Sequence, residues 1–144
     1  MKSPSLQAIP VTVEQDHGNV EPLLHEIRHA VALLLREGTS SCIDLKALPL
    51  TPGEEHQILG ALGRGEVRAE IEVLGRTEVT ETAFPGVWLV THLGESGEPQ
   101  ARFIDITHIP EILRAQAEDI SAGLERLAAR LSPRNHPEEP DAKP

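Results

Sequence analysis

Residues 66–90 read EVRAEIEVLGRTEVTETAFPGVWLV, and within them the spacing of apolar residues changes to two. The alternation of apolar and charged residues over 67–73 predicts a strand with one buried face. Turn residues at 75–76 and again at 85–86 divide the stretch into antiparallel strands. Residues 87–90, VWLV, are apolar on both faces of a strand, which predicts a central position in the sheet.

Further elements lie on both sides of this stretch. A Gly- and Ser-containing loop over 94–99 leads to a last predicted strand over 101–107, and a short strand is predicted over 40–45. Apolar residues at helical spacing predict three helices, over 22–36, 52–62 and 110–131. This order predicts an α+β fold: a single domain in which an antiparallel sheet of four to five strands carries three packed helices.

The helix ends carry recognisable signals. Gly38 stands where a C-terminal cap belongs after the first helix. Thr51, Pro52 and Glu54 form the pattern of a capping box with proline at the first helical position, which marks the start of the second helix. Pro110 is expected to open the third helix.

The two ends of the chain differ from its middle. Residues 1–18 have no helical or strand period and are interpreted as a loosely ordered arm. Residues 132–144 contain four prolines and many charges, which predicts a disordered, solvated tail. The folded domain is therefore expected over 19–131.

The composition excludes several classes of function. The chain has 144 residues and a formal net charge of −10, without a cluster of basic residues, which disfavours binding to nucleic acid or to an anionic membrane surface. A single cysteine, Cys42, excludes an internal disulfide, and we expect it to be a small buried residue of a strand. No signal peptide or membrane span is evident, so we expect a cytoplasmic protein.

One short motif is typical of zinc enzymes. His25, Glu26 and His29 match H-E-x-x-H on the first predicted helix, where two histidines could hold zinc and the glutamate could activate water. Both histidines, however, lie nearly opposite the apolar stripe of this helix. We therefore expect a solvated helix face, and a zinc-dependent hydrolase remains the alternative hypothesis.

The turn between the middle strands concentrates aromatic residues in a chain with one Trp, two Phe and no Tyr. Phe84 and Trp88 flank Pro85 and Gly86. Large aromatic side chains near a turn are frequent anchors of protein interfaces, but they also serve as core residues. The sequence alone leaves both interpretations open.

Several segments together resemble a known family. They lie in order at 43–45, 48–52, 62–67 and 81–88, followed by His92, and the similarity covers roughly 23–113. In this set the chain resembles the C-terminal conserved region of the HupH/HyaF hydrogenase expression/formation proteins. It is shorter than the longer members of that family, and the H-E-x-x-H motif lies outside the matching segments.

The resemblance implies an accessory, chaperone-like protein in the maturation of [NiFe] hydrogenase, and not an enzyme. Its expected partners are a hydrogenase subunit, the small-subunit precursor in particular, or another maturation protein, and a homodimer is compatible with the sequence. No resident cofactor is expected. The candidate partner-binding residues lie at and near the aromatic turn and are Glu66, Glu81, Phe84, Pro85, Gly86, Trp88 and His92.

Overall fold

The structure, a computed structural model, describes residues 18–72 and 75–133 of the chain. Two 3-10 turns, Leu45–Ala47 and Glu111–Leu113, accompany the main elements. Those elements, in chain order, are α1 (Val20–Glu37), β1 (Ser41–Asp44), α2 (Pro52–Leu62), β2 (Arg68–Glu72), β3 (Arg76–Glu81), β4 (Val87–Leu93), β5 (Pro99–Ile106) and α3 (Ala117–Leu131). Except for Gly18, Ser132 and Pro133, the predicted arm and tail lie outside the described residues.

The five strands form one antiparallel sheet in the order β1-β5-β4-β3-β2. Strands β2 to β5 are a meander of sequential neighbours, whereas β1 comes from the start of the domain and pairs with β5, Ser41 opposite Ile106. Strand β4 lies in the centre, as its two apolar faces predicted. The predicted α+β class, with three helices and an antiparallel sheet, is confirmed.

Helices α1 and α2 cover one face of this sheet. The register pairs Val87 with Ile106 and Leu89 with Ile104, so these four side chains share that face. Three leucine or isoleucine residues of α1 and two of α2 pack on them. The buried members of this core are Leu23, Ile27, Leu34, Leu45, Ile58, Leu62, Val87, Ile104 and Ile106. The core is therefore aliphatic, as the scarcity of aromatic residues requires.

The same sheet face changes character toward β2 and β3. Thr80 on β3 lies opposite Leu89 on β4, and the remaining positions of β2 and β3 on this face carry charged residues. The Arg68 guanidinium lies 3.4 Å from the Glu78 carboxylate, and that of Arg76 lies 3.8 Å from the same group. Because these side chains are solvated, the ion pairs contribute little to stability, but the charges discourage edge-to-edge pairing of β2.

The end of α1 and the start of α2 have the caps that the sequence predicts. Gly38 adopts a φ of 73° and donates its backbone N–H to the Leu34 carbonyl, which closes α1. At the start of α2, the Thr51 hydroxyl accepts the Glu54 N–H at 3.1 Å, and the Glu54 carboxylate accepts the Thr51 N–H at 3.0 Å. Pro52 follows at the first helical position. The predicted capping box is therefore confirmed.

The Glu54 carboxylate also reaches the start of α1. It accepts the backbone N–H of Asn19 at 3.0 Å and the Asn19 side-chain amide at 3.2 Å. Only 1% of Glu54 is exposed to solvent. The Thr51 N–H lowers the pKa of this carboxyl below its ordinary value of 4.5, with help from Asn19 and against the opposing effect of desolvation. One buried carboxylate thus joins the N-termini of two helices.

A second polar contact joins α2 to the sheet. Arg102 on β5 donates to the Glu55 carboxylate at 2.7 Å, and both side chains are largely buried. The Arg102 Nε also lies 3.4 Å from the Thr91 hydroxyl on β4. This contact fixes the lateral position of α2, because a buried charge that lost its partner would be costly.

Two predicted boundaries are wrong, and one residue of an apolar helix stripe is exposed. Strand β3 ends at Glu81 and not at Phe84, because the Thr82 hydroxyl starts a turn. The third helix begins at Ala117 rather than at Pro110, after a 3-10 turn, and its first turn carries Glu118 and Asp119, which favour a helix N-terminus. Leu35, which the apolar stripe of α1 includes, is 83% exposed.

The chain divides into two compact units at Pro110, and α3 belongs to the second. None of the residues of α3 is buried. Its large apolar side chains, Ile120, Leu124, Leu127 and Leu131, are 58–75% exposed. In the part of the chain that the structure describes, no helix combines the length and apolarity needed to cross a bilayer.

Replacing the capping hydroxyl tests the helix start. We expect Thr51→Ala to lower the free energy of unfolding by about 1 kcal/mol, because the Glu54 N–H then loses its acceptor at the start of α2. Thr51→Ser keeps the hydroxyl and is the matched control, with most of the stability retained. Urea unfolding at neutral pH measures both, and equal losses in the two variants would contradict a capping role.

The lowered pKa of Glu54 predicts a pH dependence of stability. Because the folded-state pKa lies below 4.5, the unfolded chain takes up the proton first as pH falls, so the stabilisation is complete above that value and is lost as pH drops through the folded-state pKa. We expect Glu54→Gln to be less stable than the wild type at neutral pH, and the difference to shrink in acid.

Urea unfolding over a pH series measures this difference. Glu37→Gln, at the exposed end of α1, controls for the loss of one negative charge. A wild-type advantage over Glu54→Gln that stays constant down to strongly acidic pH would show that the carboxylate is not the source of stability.

Candidate partner-binding site

The aromatic turn is built around the side chain of Thr82. Its hydroxyl accepts the Phe84 N–H at 3.1 Å and donates to the Val87 carbonyl at 2.8 Å. The Val87 N–H returns to the Phe84 carbonyl at 3.0 Å, which closes the turn. Thr82 is buried, so these bonds are protected from water and Phe84 is held at a defined position.

Two bonds attach the turn to the end of β5. The Thr107 N–H donates to the Gly86 carbonyl at 2.9 Å, and the Trp88 indole donates to the Thr107 carbonyl at 3.1 Å. Gly86 has a φ of 91°, and a Cβ there would lie 3.4 Å from the Leu34 side chain. Glycine is favoured at this position because its left-handed backbone conformation strains other residues, whereas the Leu34 distance is an ordinary contact.

The loop between α2 and β2 lies against the same corner. Gly65 donates its N–H to the Glu81 carbonyl at 2.7 Å, and the Glu66 N–H lies 3.2 Å from the Glu81 carboxylate. Glu81 in turn donates its N–H to the Val67 carbonyl at 2.9 Å. Residues 15 positions apart in the chain are thereby held side by side.

The structure brings together five residues of this corner, which we call the corner patch: Glu66, Val67, Glu81, Phe84 and Pro85. Glu66, Glu81 and Pro85 line one shallow depression. Phe84 is 53% exposed and Val67 is 45% exposed, so apolar surface lies beside two carboxylates. Four of the five residues are among those predicted. Val67 was expected on a buried face, but it precedes β2 and faces solvent.

Trp88 and His92 lie away from the exposed surface of this corner. Trp88 is only 7% exposed and its indole serves the fold through Thr107. His92 is half-buried farther along β4, roughly 13 Å from Trp88 at strand spacing. Its Nδ1 lies 2.8 Å from the Thr77 hydroxyl, and its ring meets Phe103 edge-on at 5.7 Å. Of the two open interpretations for the aromatic pair, Trp88 takes the core role and Phe84 the exposed one.

The H-E-x-x-H motif has the solvated position that its helix predicted. His25, Glu26 and His29 are all exposed on α1, and the His25 ring nitrogen lies 3.4 Å from the Arg28 guanidinium. Among residues 18–72 and 75–133, no three His, Cys, Asp or Glu side chains converge in a way that could hold a metal ion. Within these two ranges the structure therefore offers no third ligand to the two histidines.

Cys42 is exposed, which corrects the prediction that it is buried. It lies on the edge strand β1, opposite Asp105 of β5. Partial desolvation raises the pKa of its thiol to about 12, with further contributions from a hydrogen bond to Asp105 and from the charges of Asp105 and Asp44. The thiol is thus protonated at neutral pH, which makes it a weak nucleophile.

Gly65 determines how closely the loop approaches β3. A Cβ at this position would lie 2.5 Å from the Thr82 carbonyl oxygen and 2.7 Å from the Glu81 carboxylate. We expect Gly65→Ala to destabilise the fold by roughly 1–3 kcal/mol, because the clash with backbone cannot be relieved by a rotamer change.

Gly60 provides the matched control. It is exposed within α2, and a Cβ there would meet nothing within 4 Å. Gly60→Ala should therefore stabilise the protein by about 0.5–1 kcal/mol. Urea unfolding of both variants gives the comparison, and a neutral Gly65→Ala would contradict the close approach.

Comparisons with known proteins agree with this architecture. The family model described as HupH hydrogenase expression protein, C-terminal conserved region, matches residues 18–133. The solved structure of the hydrogenase expression protein HupH from Thiobacillus denitrificans ATCC 25259 superposes with a TM-score of 0.74 at 40% identity. That match covers 78% of this chain and 94% of the solved chain.

Two curated relatives are similar in sequence. Hydrogenase expression/formation protein HoxQ of Azotobacter vinelandii is 31% identical over 114 residues, which cover 76% of this chain and 39% of that protein. HupQ of Azotobacter chroococcum mcd 1 is 27% identical over 118 residues, covering 81% of this chain and 42% of the relative. The chain thus spans about two-fifths of the length of these relatives. By sequence and by fold, it belongs to the HupH hydrogenase expression protein family, whose C-terminal conserved region it contains.

Proposed function

We propose that this chain is a non-catalytic accessory protein in [NiFe] hydrogenase maturation, which acts in the cytoplasm by binding a hydrogenase subunit. The small-subunit precursor is the partner that we propose first. Family membership supports a role in hydrogenase expression, since the relatives carry that role in their names. The observation that carries a binding role is the corner patch.

Phe84 provides the anchor of the proposed interface. Its backbone is fixed on both sides by the Thr82 hydroxyl and by the Val87 N–H, so the ring is displayed without ordering a loop. A preorganised aromatic side chain at half exposure loses little conformational entropy on binding. Aromatic residues of this kind carry a large share of the free energy of many interfaces.

Two of the three charged side chains at this depression are acidic, Glu66 and Glu81 beside Arg64, which favours a basic segment of the partner. Glu66 is exposed, and Glu81 is half-buried with its carboxylate turned toward the Glu66 backbone. The whole chain adds a formal net charge of −10. A partner with an apolar side chain flanked by Lys or Arg would meet both the exposed ring and the acidic rim.

Binding to the purified small-subunit precursor tests this proposal. We expect the wild-type chain to bind. Phe84→Glu should raise the dissociation constant by about tenfold or more, since loss of an interface anchor typically costs over 1.4 kcal/mol of binding free energy. Leu35→Glu is the matched control, because Leu35 is also an exposed apolar residue, on α1. Circular dichroism and thermal unfolding confirm that both variants fold.

Co-purification from cells that are making hydrogenase gives the second readout. Tagged wild-type chain should recover a hydrogenase subunit, and Phe84→Glu should recover less of it than Leu35→Glu. Recovery of no hydrogenase component by the wild type would refute the accessory role. Equal recovery by the two variants would move the interface away from the corner patch.

A further inference from the structure

Helix α3 carries a second surface, which the corner patch does not include. Its apolar residues follow the strict three–four spacing of a heptad seam rather than the broader stripe of a helix that packs on a sheet. The seam consists of Ala117, Ile120, Leu124, Leu127 and Leu131. By contrast, the apolar stripe of α1 includes neighbouring residues such as Leu23 and Leu24.

This seam is exposed along its whole length. Ile120 is 58% exposed, Leu124 66%, Leu127 58% and Leu131 75%. A contiguous row of four large aliphatic side chains on a surface marks an interaction site. Three of the positions that flank the seam are small, namely Ser121, Gly123 and Ala128, so that another helix can approach closely.

The charges on α3 make the helix complementary to itself. Glu118 and Asp119 stand in its first turn, and Arg130 stands in its last. Antiparallel pairing of two such helices places the acidic start of each beside the basic end of the other, and it opposes the two helix dipoles favourably. Parallel pairing would place the acidic starts together.

The spacing of the seam also fits an antiparallel register. In this register, Ile120 of one copy lies beside Leu131 of the other, and Leu124 lies beside Leu127. The twofold axis repeats each pair, so the seam contains four layers of paired side chains. All four large residues are then covered in a self-complementary interface. We propose that α3 pairs with α3 of a second copy of this chain, as a short antiparallel coiled coil. This inference does not depend on the corner patch or on the hydrogenase partner.

The oligomeric state of the full chain tests this inference. Four large side chains from each copy make a small interface, so the dimer should dissociate on dilution. Sedimentation velocity over a concentration series should show a monomer–dimer equilibrium for the wild type. Leu124→Glu should raise the dimer dissociation constant at least tenfold, because it places one buried carboxylate from each copy in adjacent layers of the seam.

Two further variants keep the result interpretable. Ala122→Glu adds the same charge to the opposite face of α3 and should leave the dimer intact. Leu124→Ala keeps an apolar residue and should weaken the dimer with unchanged circular dichroism. A wild type that is monomeric at every concentration, as it would be if α3 served another partner or its own domain, overturns the proposal. A dimer that survives Leu124→Glu also overturns it.

Spin labels then determine the direction of pairing. Ser132→Cys in a Cys42→Ser background places one label at the end of each α3. Antiparallel helices in the proposed register separate the two positions by about 20 Å along the axis, whereas parallel helices place them side by side. A pulsed dipolar measurement that finds the labels side by side would refute the antiparallel arrangement.

Discussion

The carboxylate of Glu54 connects two helices that the chain separates by a strand and a 3-10 turn. It accepts hydrogen bonds from Thr51 at the start of α2 and from Asn19 at the start of α1, and it is buried. The first N–H groups of any helix lack partners within the helix. Here a single side chain satisfies such groups on both helices and places negative charge at two positive dipole ends. The helix layer that covers the sheet is arranged around this contact, and Arg102 with Glu55 then ties the layer to β5.

Local features of the fold were predictable, and long-range ones were not. Thr51 and Glu54 stand three residues apart, so their reciprocal bonds follow from sequence spacing, whereas the bond to Asn19 spans 35 residues. The apolar run at 87–90 predicted a central strand correctly. No local pattern indicated that β1 would lie beside β5, because that choice depends on which strand edge the core leaves open. The start of α3 was misplaced because Pro110 is as compatible with a 3-10 turn as with a helix.

The candidate site shows the same division. The turn residues and their aromatic neighbours were identifiable, since Pro85-Gly86 between two strands fixes a turn. The sequence did not indicate which of the two aromatic residues would be exposed. Phe84 is exposed because it lies in the turn, and Trp88 is buried because both faces of its strand are buried. Val67 was assigned to a buried face because its alternation with Arg68 continues the period of β2, yet the strand begins one residue later. The close approach of Gly65 to Thr82 has no signal in the sequence beyond the glycine itself.

The pairing of β1 with β5 also bears on how the chain folds during synthesis. Strands β2 to β5 follow one another and can form as soon as each leaves the ribosome, because their contacts are local. Ser41, however, must wait for Ile106, so β1 and the helix layer cannot complete the sheet until some 65 further residues have emerged. During that interval the apolar faces of α1 and α2, which are made first, stay uncovered, and their Leu23, Ile27 and Ile58 are open to wrong contacts. The order of synthesis thus exposes apolar surface of the nascent chain before the strands that cover it exist.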